Sequence, residues 1–192
     1  CLGGLCVGLI ALSFPQVLGN GFGVTSDLIS LDYDEGGNMA LGSSFPVNLD
    51  MASGITSLLI FVISIMLLKI IATSVSIGSG GSGGIFTPSL FIGAALGAAL
   101  GLVLNDMGIV DHPGAFALVG MAAFVASTTR ATLTAIILLF EMTATYEIIL
   151  PLMLSCVVAD AVCYGVSEHS CYTAKLARRG ISIDLESEQD LM

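Results

Sequence analysis

The chain has 192 residues, 55% of them hydrophobic and only 10% charged, with a mean hydropathy of +0.98. Soluble domains carry about 25% charged residues, so this composition excludes an ordinary soluble domain and indicates an integral membrane protein. A formal net charge of −10 at pH 7 argues against a nucleic-acid partner, which needs a basic face.

The acids are unevenly placed. Asp27, Asp32, Asp34, Glu35 and Asp50 fall in one polar stretch, and Asp184, Glu186, Glu188 and Asp190 fall near the end. Five cysteines form no CxxC pair, and the two histidines, His112 and His169, stand alone. No metal-ligand spacing is present, and the cysteines read as small buried hydrophobes. The chain opens on Cys1 without a basic leader region and reads as a portion of a longer protein.

In chain order, an apolar run from Leu2 to Ser13 stops at Pro15 and the glycines Gly19 and Gly21, as a helix end followed by a tight turn. Residues 24–50 are acidic and interrupted by Gly36-Gly37 and Pro46, which predicts an aqueous loop. Ile55 to Thr73 is a run of about 19 apolar residues, close to the roughly 20 that cross a bilayer. Its one charge, Lys69, lies near an end and is expected to snorkel to the interface.

Then come Ser89–Leu104, Ala115–Ala126, Thr132–Met142 and Ile148–Val166, separated by short breaks and several of them too short for a full span. Such discontinuous segments point to a binding site within the membrane. Gly93, Gly97 and Gly101 recur every fourth residue and predict close helix packing rather than a site. Asp160 lies deep in the last long run, where an intramembrane carboxylate reads equally as functional or as paired structure. Lys175, Arg178 and Arg179 follow, and this basic flank predicts a cytoplasmic C-terminus.

The most informative stretch is Gly78 to Gly101. Here a glycine-rich loop runs directly into a small-residue apolar helix, with no charged residue in the join. A helix start presents unpaired N–H groups and about half a positive charge. Within a membrane that suits an anion held by backbone amides. Gly83 and Gly84 allow close approach, and Pro88 sits where a missing N–H costs little.

Gly80-Ser82-Gly83-Gly84-Ile85-Phe86-Thr87-Pro88 resembles the G-x-F-x-P signature of the CLC chloride channel and chloride/proton antiporter family. Pro15–Gly21 resembles a motif upstream of it. Thr128–Thr134, Phe140–Thr143 and Ile149–Met153 resemble the family's two dimer-interface helices, and Tyr172 falls where a central-site tyrosine opens the last membrane helix. The resemblance covers residues 1–23 and about 51–185, with 24–50 as an insertion.

It implies an all-α, multi-pass integral membrane protein with short, discontinuous helices, this chain being the second inverted half. Residues 1–180 would form the partial transmembrane domain and 181–192 a cytoplasmic tail. The anion site would comprise the amides of Ile85 and Phe86 and the hydroxyl of Tyr172, framed by Gly83, Gly84 and Pro88. Chloride would be the transported ligand, with no cofactor, no metal and a homodimeric full-length protein in the lipid bilayer. The gating and proton-transfer glutamates belong to first-half motifs that do not occur in this chain, so channel and antiporter both stand.

Rival readings are an enzyme with a phosphate-binding glycine loop, a flexible linker at Gly78–Gly84, and a non-transporting dimer-forming fragment. The first lacks a Lys-Ser/Thr ending and a preceding strand. The second is opposed by the apolar flanks of the loop.

Overall fold

A computed structural model describes residues 2–17, 19–31, 54–81, 83–110, 112–143, 146–167 and 170–174. These residues are helical throughout their regular structure. The order is α1 (Leu2–Ser13), a 3-10 turn (Pro15–Val17), α2 (Phe22–Ile29), α3 (Gly54–Gly78) and α4 (Phe86–Asp106). After them come α5 (Pro113–Thr129), α6 (Thr132–Thr143), a second 3-10 turn (Tyr146–Ile148) and α7 (Ile149–Val166).

Among the described residues, three helices are long and apolar enough to cross a membrane: α3 over Thr56–Gly78, α4 and α7. Helix α4 is longer than its apolar run suggested, with 21 residues. It takes in Phe86, Thr87 and Pro88 at one end and Asn105 and Asp106 at the other. At 17 and 12 residues, α5 and α6 are the short segments.

The centre of the fold is the crossing of α4 on α5. An ideal Cβ on Gly93 would lie 2.7 Å from the Gly120 carbonyl oxygen, and one on Gly101 2.7 Å from that of Pro113. One on Gly120 would lie 2.7 Å from Gly97 Cα. The every-fourth-residue glycines therefore bring two backbones together, as small-residue faces do in membranes. Ala94, Ala98, Ala117, Ala122 and Ala126 fill the same seam, all fully buried. Phe91, Leu102, Met121 and Val125 complete the core.

Two expectations are corrected here. Residues 24–29, expected at the start of an aqueous loop, belong instead to helix α2. Val24, Leu28 and Leu31 are buried against the core, and the Gly114 N–H donates to Leu31 O at 3.2 Å. Their spacing of four and three is helical; Asp27 and the acids that follow obscured it. The rest of the 24–50 stretch, from 32 onward, lies outside the described residues.

The cysteines also divide. Cys156 is buried and Cys163 half-buried, but Cys6 and Cys171 are exposed. The proposed basic flank (Lys175, Arg178, Arg179) and the 181–192 tail lie outside the described residues.

Candidate anion site

Helix α4 begins without a cap. Ile85 occupies the cap position, and no side chain bonds the helix start. The first amide to find a helical carbonyl is that of Ser89, which donates to Ile85 O at 3.1 Å, joined there by the Ser89 hydroxyl at 2.8 Å. Ahead of it an α-helix leaves four N–H positions without an internal acceptor. Pro88 contributes none, so the donors at this end are the N–H groups of Ile85, Phe86 and Thr87. The sequence reading named the first two; the helix geometry adds Thr87.

The glycine loop opens onto a cavity of about 280 Å³. Gly83, Gly84, Thr87 and Pro88 contribute to its wall, together with Lys69, Thr73 and Ser76 of α3 and with Gly19 and Asn20. Thr87 also borders a second, more apolar cavity of about 180 Å³ with Phe22, Leu90 and Met121. A Cβ on Gly84 would meet nothing within 4 Å, and one on Gly83 would touch only Ile77 Cγ1 at 3.7 Å. Glycine is not needed there by packing. Its absence of a side chain keeps the space beside the helix start open.

Lys69 overturns its expected role. It is 3% exposed rather than snorkelled. Its Nζ donates to Val17 O at 2.9 Å and Gly19 O at 2.8 Å, and it lies 5.3 Å from the centre of the Phe91 ring. The carbonyls at the end of the first 3-10 turn draw the side chain inward. Gly21 adopts φ 73°, and a Cβ there would lie 2.7 Å from Phe91 Cδ2, so this turn packs closely on the same ring. The join between loop and helix thus has a cation in its cavity wall, supplied from α3.

Tyr172 is half-exposed on the turn after α7, and it is not among the residues walling the 280 Å³ cavity. The elbow between α5 and α6 fixes its segment. Cys171 N–H donates to Thr128 O at 3.1 Å. The Arg130 guanidinium donates to Ser167 O and, at 3.2 Å, to Cys163 O, the carbonyls at the end of α7. It also lies 5.3 Å from the Tyr164 ring centre. Arg130 holds φ 60°, ψ 27°, the left-handed conformation that closes α5. Asp160 proves to be paired: Thr132 Oγ1 donates to its Oδ2 at 2.8 Å.

Comparison with known proteins decides the family. Residues 1–164 match the family model described as voltage gated chloride channel. The chain belongs to this family. As a CLC chain it is 35% identical over 179 residues to a ClcB-like chloride channel protein of Ralstonia nicotianae, covering 92% of this chain and 36% of that protein. It is equally 35% identical over 181 residues to the H(+)/Cl(-) exchange transporter ClcA of Yersinia pestis, covering 92% and 32%. A crystal structure of a slow cyanobacterial Cl-/H+ antiporter matches with a TM-score of 0.58 and 36% identity, over 63% of this chain and 29% of that one. The chain spans about a third of the length of the curated relatives it matches.

In this CLC chain the sequence pattern misplaced Lys69 at the interface and gave no role to Thr87 or Arg130. Thr87 was within the quoted motif and is the third residue of the helix start by simple counting. Lys69 and Arg130 bond carbonyls 50 or 52 and 33 or 37 positions away, which no local pattern reveals.

Proposed function

We propose that the chain supplies the second half of a protein that moves chloride across a membrane, as a channel or in exchange for protons. The anion is received by the N–H groups of Ile85, Phe86 and Thr87 and by the hydroxyl of Tyr172. The observation that carries this reading is the uncapped start of α4 at a cavity that two packing-free glycines leave open. Peptide dipoles suit a transported anion: they bind by partial charge, firmly enough to replace water and weakly enough to let the ion leave. Relatives named as chloride channels and H(+)/Cl(-) exchangers support the substrate. A phosphate-binding enzyme is not favoured, because those relatives are transport proteins.

The same reading assigns the outer surface of α6 and α7 to lipid and to a second subunit. Only 11% of the α7 window is buried within the chain, leaving Leu150, Leu154, Val158 and Val162 exposed. A cytoplasmic C-terminus, by the positive-inside rule, and a homodimer belong to this proposal.

Gly84→Val in the protein that carries this segment tests the site. Because its Cβ meets nothing within 4 Å, the fold is expected to tolerate the change while chloride flux into liposomes falls at least tenfold. Unchanged flux from a well-folded Gly84→Val protein would count against an anion at this helix start and in favour of a plain linker.

A further inference from the structure

Lysine in a membrane-crossing helix is expensive unless something answers its charge. The described neighbours of Lys69 Nζ are two carbonyl oxygens, at 2.9 and 2.8 Å, and the face of Phe91 at 5.3 Å. All three are electron-rich, as an ammonium with three donors and no acceptor requires, and none carries a full negative charge. The Lys69 side chain is almost completely buried, yet it borders the cavity that Gly83, Gly84 and Thr87 also border. That cavity has room for several waters. A buried cation and the positive end of α4, through Thr87, therefore border one space, and the charge that would complement both is an anion.

We propose that Lys69 is an affinity-determining residue of the anion route: anchored by the Val17 and Gly19 carbonyls, it holds a full positive charge beside the α4 amides and raises the occupancy of the transported anion. The inference rests on the reading of α4 as the anion site. The anchoring is part of the device. With two donors committed to the turn, the ammonium is held back from collapsing onto the ion as a tight pair, which would block its release. It acts through space, and its influence falls with distance and with local dielectric rather than with contact geometry.

Three variants separate charge from scaffolding. Lys69→Arg keeps the charge. Lys69→Gln keeps an N–H₂ group for the carbonyls and removes the charge. Lys69→Met removes both. Chloride affinity is measured by isothermal titration on the protein carrying this segment, with a thermal melt of each variant. A unit charge at about 10 Å through an effective dielectric of about 20 changes affinity on the order of tenfold. Lys69→Gln is therefore expected to bind about tenfold more weakly and to melt near wild type, and Lys69→Arg to bind like wild type.

A folded Lys69→Gln protein with wild-type affinity overturns the inference and leaves the α4 site standing. Wild-type protein that binds no chloride overturns the α4 reading itself. Should Lys69→Gln fail to fold, halide anomalous scattering from bromide-soaked wild-type crystals decides. Density in the cavity between Lys69 and Gly84 supports the proposal. Density at the α4 start only on the face turned away from the cavity that Lys69 borders overturns it.

Discussion

The α4–α5 crossing gives a quantitative prediction for Gly97→Ala. An ideal Cβ at residue 97 would lie 2.8 Å from the carbonyl carbon of Phe116, 3.0 Å from Ala117 Cα, and closer still to Phe116 O. All three are backbone atoms of α5, so no rotamer change relieves the clash and the helices must part. Overpacking of this kind costs about 1–3 kcal/mol, and the upper half of that range applies because the obstacle is rigid. Replacing glycine by alanine within a helix returns about 1 kcal/mol. The net expectation is a loss of about 1–2 kcal/mol. Gly8 in α1 is the internal control, since a Cβ there meets nothing within 4 Å and alanine gains the propensity without the clash. Circular dichroism melts in detergent should place Gly97→Ala below wild type and Gly8→Ala at or above it. A Gly97→Ala protein melting at or above wild type would refute the argument that backbone contact sets this crossing.

Three further outcomes follow from the elbow after α5. Arg130→Gly relaxes a left-handed residue, worth about 1–2 kcal/mol, but forfeits charged hydrogen bonds of about 1.5–3 kcal/mol each; the melting point should fall, and a rise would mean the guanidinium contributes little. Thr132→Val strips Asp160 Oδ2 of its donor while Oδ1 is already buried without one among the described residues, so a loss of about 1–3 kcal/mol is expected. The double variant Thr132→Val/Asp160→Leu should recover most of that loss, because removing both partners leaves no orphan; a melt no better than the single variant contradicts this. Tyr172→Phe deletes only a hydroxyl, and chloride titration should show weaker binding with an unchanged melt; wild-type affinity would remove Tyr172 from the site.

How far the sequence could be read depended on whether the relevant partners were close along the chain. The uncapped start of α4 was visible because everything that makes it, from Gly83 to Ser89, is contiguous. The tight face of Gly93, Gly97 and Gly101 was visible for the same reason. Helix α2 was hidden because the buried residues in and just after it, Val24, Leu28 and Leu31, are few and are interleaved with Thr25, Ser26, Asp27 and Ser30. Lys69 was misjudged because position near the end of an apolar run favours snorkelling, whereas the carbonyls that capture it belong to a turn before α2. Asp160 stood evenly between function and structure until Thr132 was found beside it. The extension of α3 to Gly78 was missed because Ser74, Ser76 and Thr73 look like loop residues; Thr73 instead bonds the Lys69 carbonyl within the helix at 2.8 Å.

The most direct test of the account is the location of a heavy halide in crystals of the protein carrying this segment, soaked in bromide and measured at the bromine edge. The account predicts a well-occupied anomalous peak within hydrogen-bond reach of the Phe86 and Thr87 amides. Well-occupied peaks elsewhere in the membrane region, with none beside those amides, would contradict it.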